Sequence, residues 1–227
     1  KYGRTEMTGS LNPIYINTTI QVLEKRCFIL LSEVYADIKS KKTISINWVE
    51  EDISKELTNC LQSNKKRIAW KIRVEPEHRL YKEDNLSANK SPRIDFCFST
   101  WTDTEWEFFA EAKNLIESDC ETNRIGKNGK ISINAHSLYK RYIETGIDNF
   151  ISGKYPPNGC LIGYILQGKA ENIISALNSC LYNLNRESER LNQHSFGLID
   201  FESCYISTHN SPSLMKHLMF DFTSNIV

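Results

Sequence analysis

The sequence predicts an α/β fold in which helices flank a mixed β-sheet, and three observations carry that prediction. Residues 18–39 and 48–61 repeat apolar side chains at helical spacing. Residues 67–113 switch to the alternation of β-strands. Residues 159–166 then form the continuous apolar run of a strand buried on both faces.

In the first helix Ile20, Leu23, Cys27, Leu30, Leu31, Val34 and Ile38 lie on one stripe; in the second, Val49, Ile53, Leu57, Cys60 and Leu61 do. Residues 1–17 mix Gly, Pro, Thr and Asn without periodicity and read as an irregular lead-in. Strands are expected at residues 67–74, 93–98 and 105–113. The short link 99–104 makes the last two an antiparallel hairpin. Residues 117–130 read as a polar, basic loop. Residues 136–151 read as a helix closed by Gly153, residues 171–184 as another, and residues 203–208 and 218–222 as a closing edge hairpin. A boundary near residue 45 would separate an N-terminal helical arm, residues 1–45, from the main domain, residues 46–227.

Composition narrows the function classes. The apolar fraction is 40% and the charged fraction 25%, as in ordinary globular proteins. No apolar run has the ~20 residues of a membrane helix, and the first residues lack the layout of a secretory signal. The expectation is a soluble, cytoplasmic protein without a membrane partner. The seven cysteines are scattered and never spaced C-x-x-C, which argues for reduced, buried thiols rather than disulfides or a zinc ribbon. Lys+Arg and Asp+Glu both number 28, so any nucleic-acid contact must rest on local basic clusters.

The chemistry concentrates in the middle strands. Along residues 105–113, Trp106, Phe108, Ala110 and Ala112 point one way, while Glu107, Phe109, Glu111 and Lys113 point the other. A carboxylate and an amine straight after Phe108-Phe109-Ala110 cost desolvation unless something compensates. Asp95, between Ile94 and Phe96, would stand across the hairpin from them. Two acidic oxygen donors beside a phosphate are what Mg²⁺ (or Mn²⁺) requires. A lysine in the same patch would orient water or meet charge developing on the phosphate.

Pro92-Arg93-Ile94-Asp95 followed by Glu111-Ala112-Lys113 resembles the motif of the PD-(D/E)XK nuclease superfamily. The resemblance covers roughly residues 47–184 and departs in one place: Pro92 lies three residues before Asp95 rather than beside it. It implies a restriction-endonuclease-like core, with Asp95 and Glu111 as metal ligands and Lys113 as the catalytic lysine. It also implies a further acidic residue from the preceding helix. At about 100° per residue, Glu50 lies roughly 60° from Ile53 and can border the sheet. Glu56 lies about as far round on the side away from the stripe's centre, and Glu51 points roughly opposite, to solvent.

Basic residues gather at Lys65-Lys66-Arg67, at Arg124, Lys127 and Lys130, and at Lys140 and Arg141. The last five are the candidate nucleic-acid contacts, placed after the active strand where they would hold phosphates without reading sequence. Residues 142–150, with Gly153 and Tyr155, are similar to a stretch of bacterial restriction and anti-phage defence nucleases. The resemblance implies a metal-dependent endonuclease of restriction or phage defence, with DNA favoured over RNA as its substrate. Cutting both strands with one site per chain would favour a homodimer, and the zero net charge fits a partner subunit of a defence complex. A catalytically silent scaffold of the same fold is the alternative.

Overall fold

The computed structural model describes residues 13–80, 91–101, 105–126 and 129–223. It is an α/β structure built on a seven-stranded mixed sheet. The chain runs α1 (Pro13–Lys41), α2 (Glu50–Ser63), α3 (Lys65–Ala69), β1 (Ile72–Arg79), β2 (Arg93–Trp101), β3 (Glu105–Ile116), β4 (Cys120–Gly126) and β5 (Gly129–Ile133). Next come α4 (Ala135–Arg141), a π-helical turn (Tyr142–Ile147), α5 (Asp148–Ile151), β6 (Gly159–Gln167) and α6 (Ala170–Asn183). The short β7 (Asn192–Gln193), β8 (Cys204–Thr208) and β9 (Leu214–Asp221) close the chain. No helix among the described residues is long and apolar enough to cross a membrane.

The sheet order is β1-β2-β3-β6-β9-β8-β7. The hairpin expected between β2 and β3 is present and antiparallel, pairing Phe98 with Phe108 and Phe96 with Ala110. β6 lies parallel to both β3 and β9, and all its residues from Cys160 to Leu166 are buried. That is the environment a continuous apolar run requires.

The two faces of the sheet have different covers. On one face α1 buries Leu23, Cys27, Leu30, Leu31, Val34 and Ile38, and Phe28 meets Phe108 edge-on at 5.5 Å. The Tyr35 hydroxyl donates to the Asp221 carbonyl at 2.9 Å, so α1 reaches from β3 to β9. α2 packs Ile53, Leu57 and Leu61 beside it. All of these residues belong to one buried cluster with the sheet. On the other face the π-helical turn crosses β6, where Gly146 has Leu161 so close that a Cβ would lie 2.9 Å from Leu161 Cδ2. No disulfide joins the cysteines among the described residues.

Several expectations need correction. Residues 67–71 are not strand: Asn64 caps a helical turn by accepting the Arg67 amide at 3.1 Å, and Lys71, at φ 54°, turns the chain into β1. Charged residues flanking Ile68 imitate alternation, but Ile68 is exposed. Residues 117–130 are not simply a loop, because β4 and β5 form a separate antiparallel hairpin. The helix expected over 136–151 is interrupted by the π-helical turn, while Gly153 does close it, at φ 69°, donating to the Phe150 carbonyl at 3.1 Å. The last strands are not an edge hairpin either. β9 is interior, between β6 and β8, and the edge on that side is β7. α1 begins at Pro13, inside the segment read as irregular.

Candidate active site

The site forms where β2 and β3 part. Their recorded pairing runs from Trp101↔Glu105 to Phe96↔Ala110, and beyond Ala110 carboxylates meet the amide groups of β3. Two successive outward amides of β3 illustrate this. Ala112 N–H donates to Asp95 Oδ2 at 2.7 Å, and Asn114 N–H donates to Glu50 Oε2 at 3.2 Å. Carboxylates thus stand in for a missing strand, satisfying donors that burial would otherwise penalise.

Glu50 is available because it opens α2. The first turn of that helix carries Glu50, Glu51 and Asp52, where acidic side chains are favoured by the helix dipole. Glu51 and Asp52 face solvent and Glu50 turns inward, its side chain only 12% exposed.

On the adjoining face Glu111 and Lys113 are neighbours on β3, 6% and 4% exposed. Lys113 Nζ donates to Glu111 Oε1 at 2.5 Å, to the Ala112 carbonyl at 2.8 Å and to Glu50 Oε1 at 3.3 Å. Arg141 Nη2 approaches Glu50 Oε1 at 3.6 Å from the solvent side. The Tyr155 hydroxyl, whose pKa is raised by burial and by the Glu111 charge, donates to the Arg93 carbonyl at 2.9 Å.

The electrostatics is that of an underneutralised acidic cluster. Burial, then the nearby Glu111 charge, push the Asp95 carboxyl up to about 8. Burial also raises Glu111 against the opposing pull of Lys113. For Lys113, burial acts against the ammonium, but Glu111, Glu50 and Asp95 outweigh it and hold its pKa above the ordinary range. Lys113 contacts Glu111 and Glu50 directly and acts on Asp95 through its charge alone.

This donor set fits a hard divalent cation. Its atoms are carboxylate oxygens, and Glu111 Oε2 is buried without a hydrogen-bond partner among the described residues. A buried lone pair with nothing to accept is costly, and a cation held by Asp95 and Glu111 would relieve it along with the repulsion between the two.

Comparison with family models, with curated proteins and with solved structures finds no match for this chain.

Asp95, Glu111, Lys113 and Glu50 come together as a unit. The basic candidates separate. Arg124 on β4 and Arg141 on α4 line one cleft with Glu50, Glu51 and Asn114. Among the described residues, Arg124 Nε there is buried without a hydrogen-bond partner, as is Asn114 Oδ1. Lys130 is exposed on β5. Lys140 is exposed and pairs with Glu144 at 3.6 Å. Lys127 lies outside the described residues.

Sequence reasoning missed Asn114, whose Nδ2 donates to the Trp48 carbonyl at 3.3 Å and ties β3 to the start of α2. Its adjacency to Lys113 was the available signal. It also missed the role of Asn47, whose Oδ1 accepts the Asn123 amide at 2.7 Å and fastens the β4–β5 hairpin beside the cleft.

Proposed function

We propose that this chain is a metal-dependent endonuclease of the PD-(D/E)XK type that hydrolyses phosphodiester bonds, in DNA rather than RNA, in prokaryotic restriction or phage defence. The observation that carries the reading is the meeting of Asp95, Glu111, Lys113 and Glu50 at the parting of β2 and β3. Asp95 and Glu111 would hold Mg²⁺ or Mn²⁺. When bound, such an ion polarises a phosphoryl oxygen and lowers the pKa of a coordinated water.

The remaining work falls to the chain's own groups. Glu111 and Glu50 fix the Lys113 ammonium, which keeps its proton and meets the charge that develops on the phosphate. Glu50 acts as a positioning residue, since its two oxygens engage Lys113 and the Asn114 amide. Arg124 and Arg141, on the walls of the adjacent cleft, would hold neighbouring phosphates. A single site per chain cuts both strands most simply as a homodimer or with a partner subunit.

A second reading, a catalytically silent scaffold that binds nucleic acid or a partner protein, is favoured by one fact. Asp95 and Glu50 already serve as caps for backbone amides. Incubation with plasmid and single-stranded substrates in Mg²⁺, Mn²⁺ or EDTA separates the two. The nuclease nicks or linearises DNA with an ion and not with EDTA; the scaffold leaves every substrate intact under all conditions.

A further inference from the structure

Farther along β2 and β3, towards their turn, a second set of ligand side chains converges. A ring nitrogen of His78 on β1, Cys97 Sγ on β2 and a Glu107 carboxylate oxygen on β3 all lie within 4.8 Å of one another. Cys97 Sγ is 3.7 Å from Glu107 Oε1.

Strand alternation alone does not bring His78 there. In the β1–β2 register Glu75 stands opposite Cys97, whereas His78 stands opposite Ile94, whose side chain is on the other face. Glu77, just before His78, takes a left-handed φ of 47°. This conformation is strained for a residue with a Cβ, and it accompanies the return of His78 to the Glu75 side. There His78 Nδ1 is 2.8 Å from Glu75 Oε2, and the ring is 6.2 Å from Phe109, the cross-strand partner of Cys97.

We propose that His78, Cys97 and Glu107 form a second cation site, for a thiophilic divalent ion of the zinc class. A sulfur, an imidazole nitrogen and one carboxylate oxygen suit zinc and its neighbours, not Mg²⁺. Around tetrahedral zinc, sulfur and nitrogen ligands stand about 3.5 Å apart, so these side chains need to close by only about 1 Å. Three protein ligands leave a fourth position for water.

An outer shell is also in place. Glu75 engages the histidine through Oε2 while Arg73 Nη2 holds its other oxygen at 2.5 Å. A carboxylate behind a ligating histidine fixes the ring and its tautomer. Cys97 is buried, whereas His78 and Glu107 are partly exposed, which gives the ion a route from solvent. A bound ion would tie β1, β2 and β3 together beside Asp95 and act on stability rather than on bond cleavage.

The test is titration of the whole, chelator-stripped chain with Co²⁺ as the spectroscopic probe. One equivalent should develop a thiolate-to-cobalt charge-transfer band that Zn²⁺ bleaches and excess Mg²⁺ does not. Cys97→Ser should lose the band, and His78→Ala, at a partly exposed position that leaves the core intact, should weaken cobalt binding at least 10-fold. His136→Ala should leave the band unchanged, although it removes the histidine 3.8 Å from Cys180. Absence of a thiolate band in the parent would overturn the site, as would a band of parental strength in His78→Ala or its loss in His136→Ala.

Discussion

Asp95 Oδ2 accepts the Ala112 amide at 2.7 Å, so a carboxylate proposed to bind a cation also replaces a strand at the point where β2 leaves β3. These two duties can be separated by substitution. Asp95→Asn keeps an oxygen for the amide and removes the charge that Glu111 opposes, whereas Asp95→Ala leaves the amide unsatisfied. In EDTA, Asp95→Asn should be at least as stable as the parent. Asp95→Ala should fall below Asp95→Asn by about 1–3 kcal/mol, the cost of an unpaired buried donor. Mg²⁺ should raise the melting temperature of the parent and of neither variant. Denaturant unfolding in EDTA gives the first comparison, and thermal melts with and without the ion give the second.

Glu50 and Glu51 are adjacent in sequence and opposite in environment. Glu50→Ala takes partners from both Lys113 and the Asn114 amide and should lower stability and cleavage together. Glu51→Ala, on the exposed side of α2, should change stability by no more than about 0.5 kcal/mol. A sensitive Glu51 with an indifferent Glu50 would show that the helix presents a different face to the site.

Much of this site was legible in the sequence. Alternation along residues 105–113 placed Glu111 and Lys113 on one face, and the stripe centred on Ile53 distinguished Glu50 from Glu51. The capping arrangement was not legible, because it depends on where the β2–β3 ladder opens, and no local pattern encodes that. The β4–β5 hairpin was hidden by its polar, glycine-bounded sequence and lies outside the main sheet. α3 was hidden because helical and alternating patterns coincide over a few charged residues. The position of β9 between β6 and β8 is a matter of long-range pairing.

Arg124 and Lys140 should differ as substrate contacts. Arg124→Ala, in the cleft beside Glu50, should weaken nucleic-acid binding about equally across sequences and reduce the salt slope of binding by about 1. Lys140→Ala, exposed and paired with Glu144, should alter neither. Binding isotherms at several salt concentrations distinguish them.

Stability should also carry the signature of a buried neutral histidine. His217 is fully buried, with the Tyr142 hydroxyl 2.9 Å from Nδ1 and Ser207 Oγ 2.8 Å from Nε2. Burial pushes its pKa down from 6.5 to about 3. The unfolded chain therefore binds the extra proton between these values, and stability from this residue is complete above pH 6.5 and lost as pH falls towards 3. Relative to the parent, His217→Gln should lose less stability on acidification, with a slope difference of at most about 1.4 kcal/mol per pH unit. Parallel pH profiles of unfolding free energy would contradict the assignment.

In the proposed mechanism Lys113 acts on the reacting phosphate while Asp95 and Glu111 hold the ion. The most direct measurement is the plasmid cleavage rate of the parent and of Lys113→Ala in Mg²⁺, each protein first checked for Mg²⁺ and DNA binding by calorimetry. A transition-state interaction affects turnover more than binding. The expected result is cleavage by the parent, its abolition in Lys113→Ala, and retained binding of both ion and DNA. Equal cleavage by the two proteins, or none by the parent with any divalent ion, would contradict it.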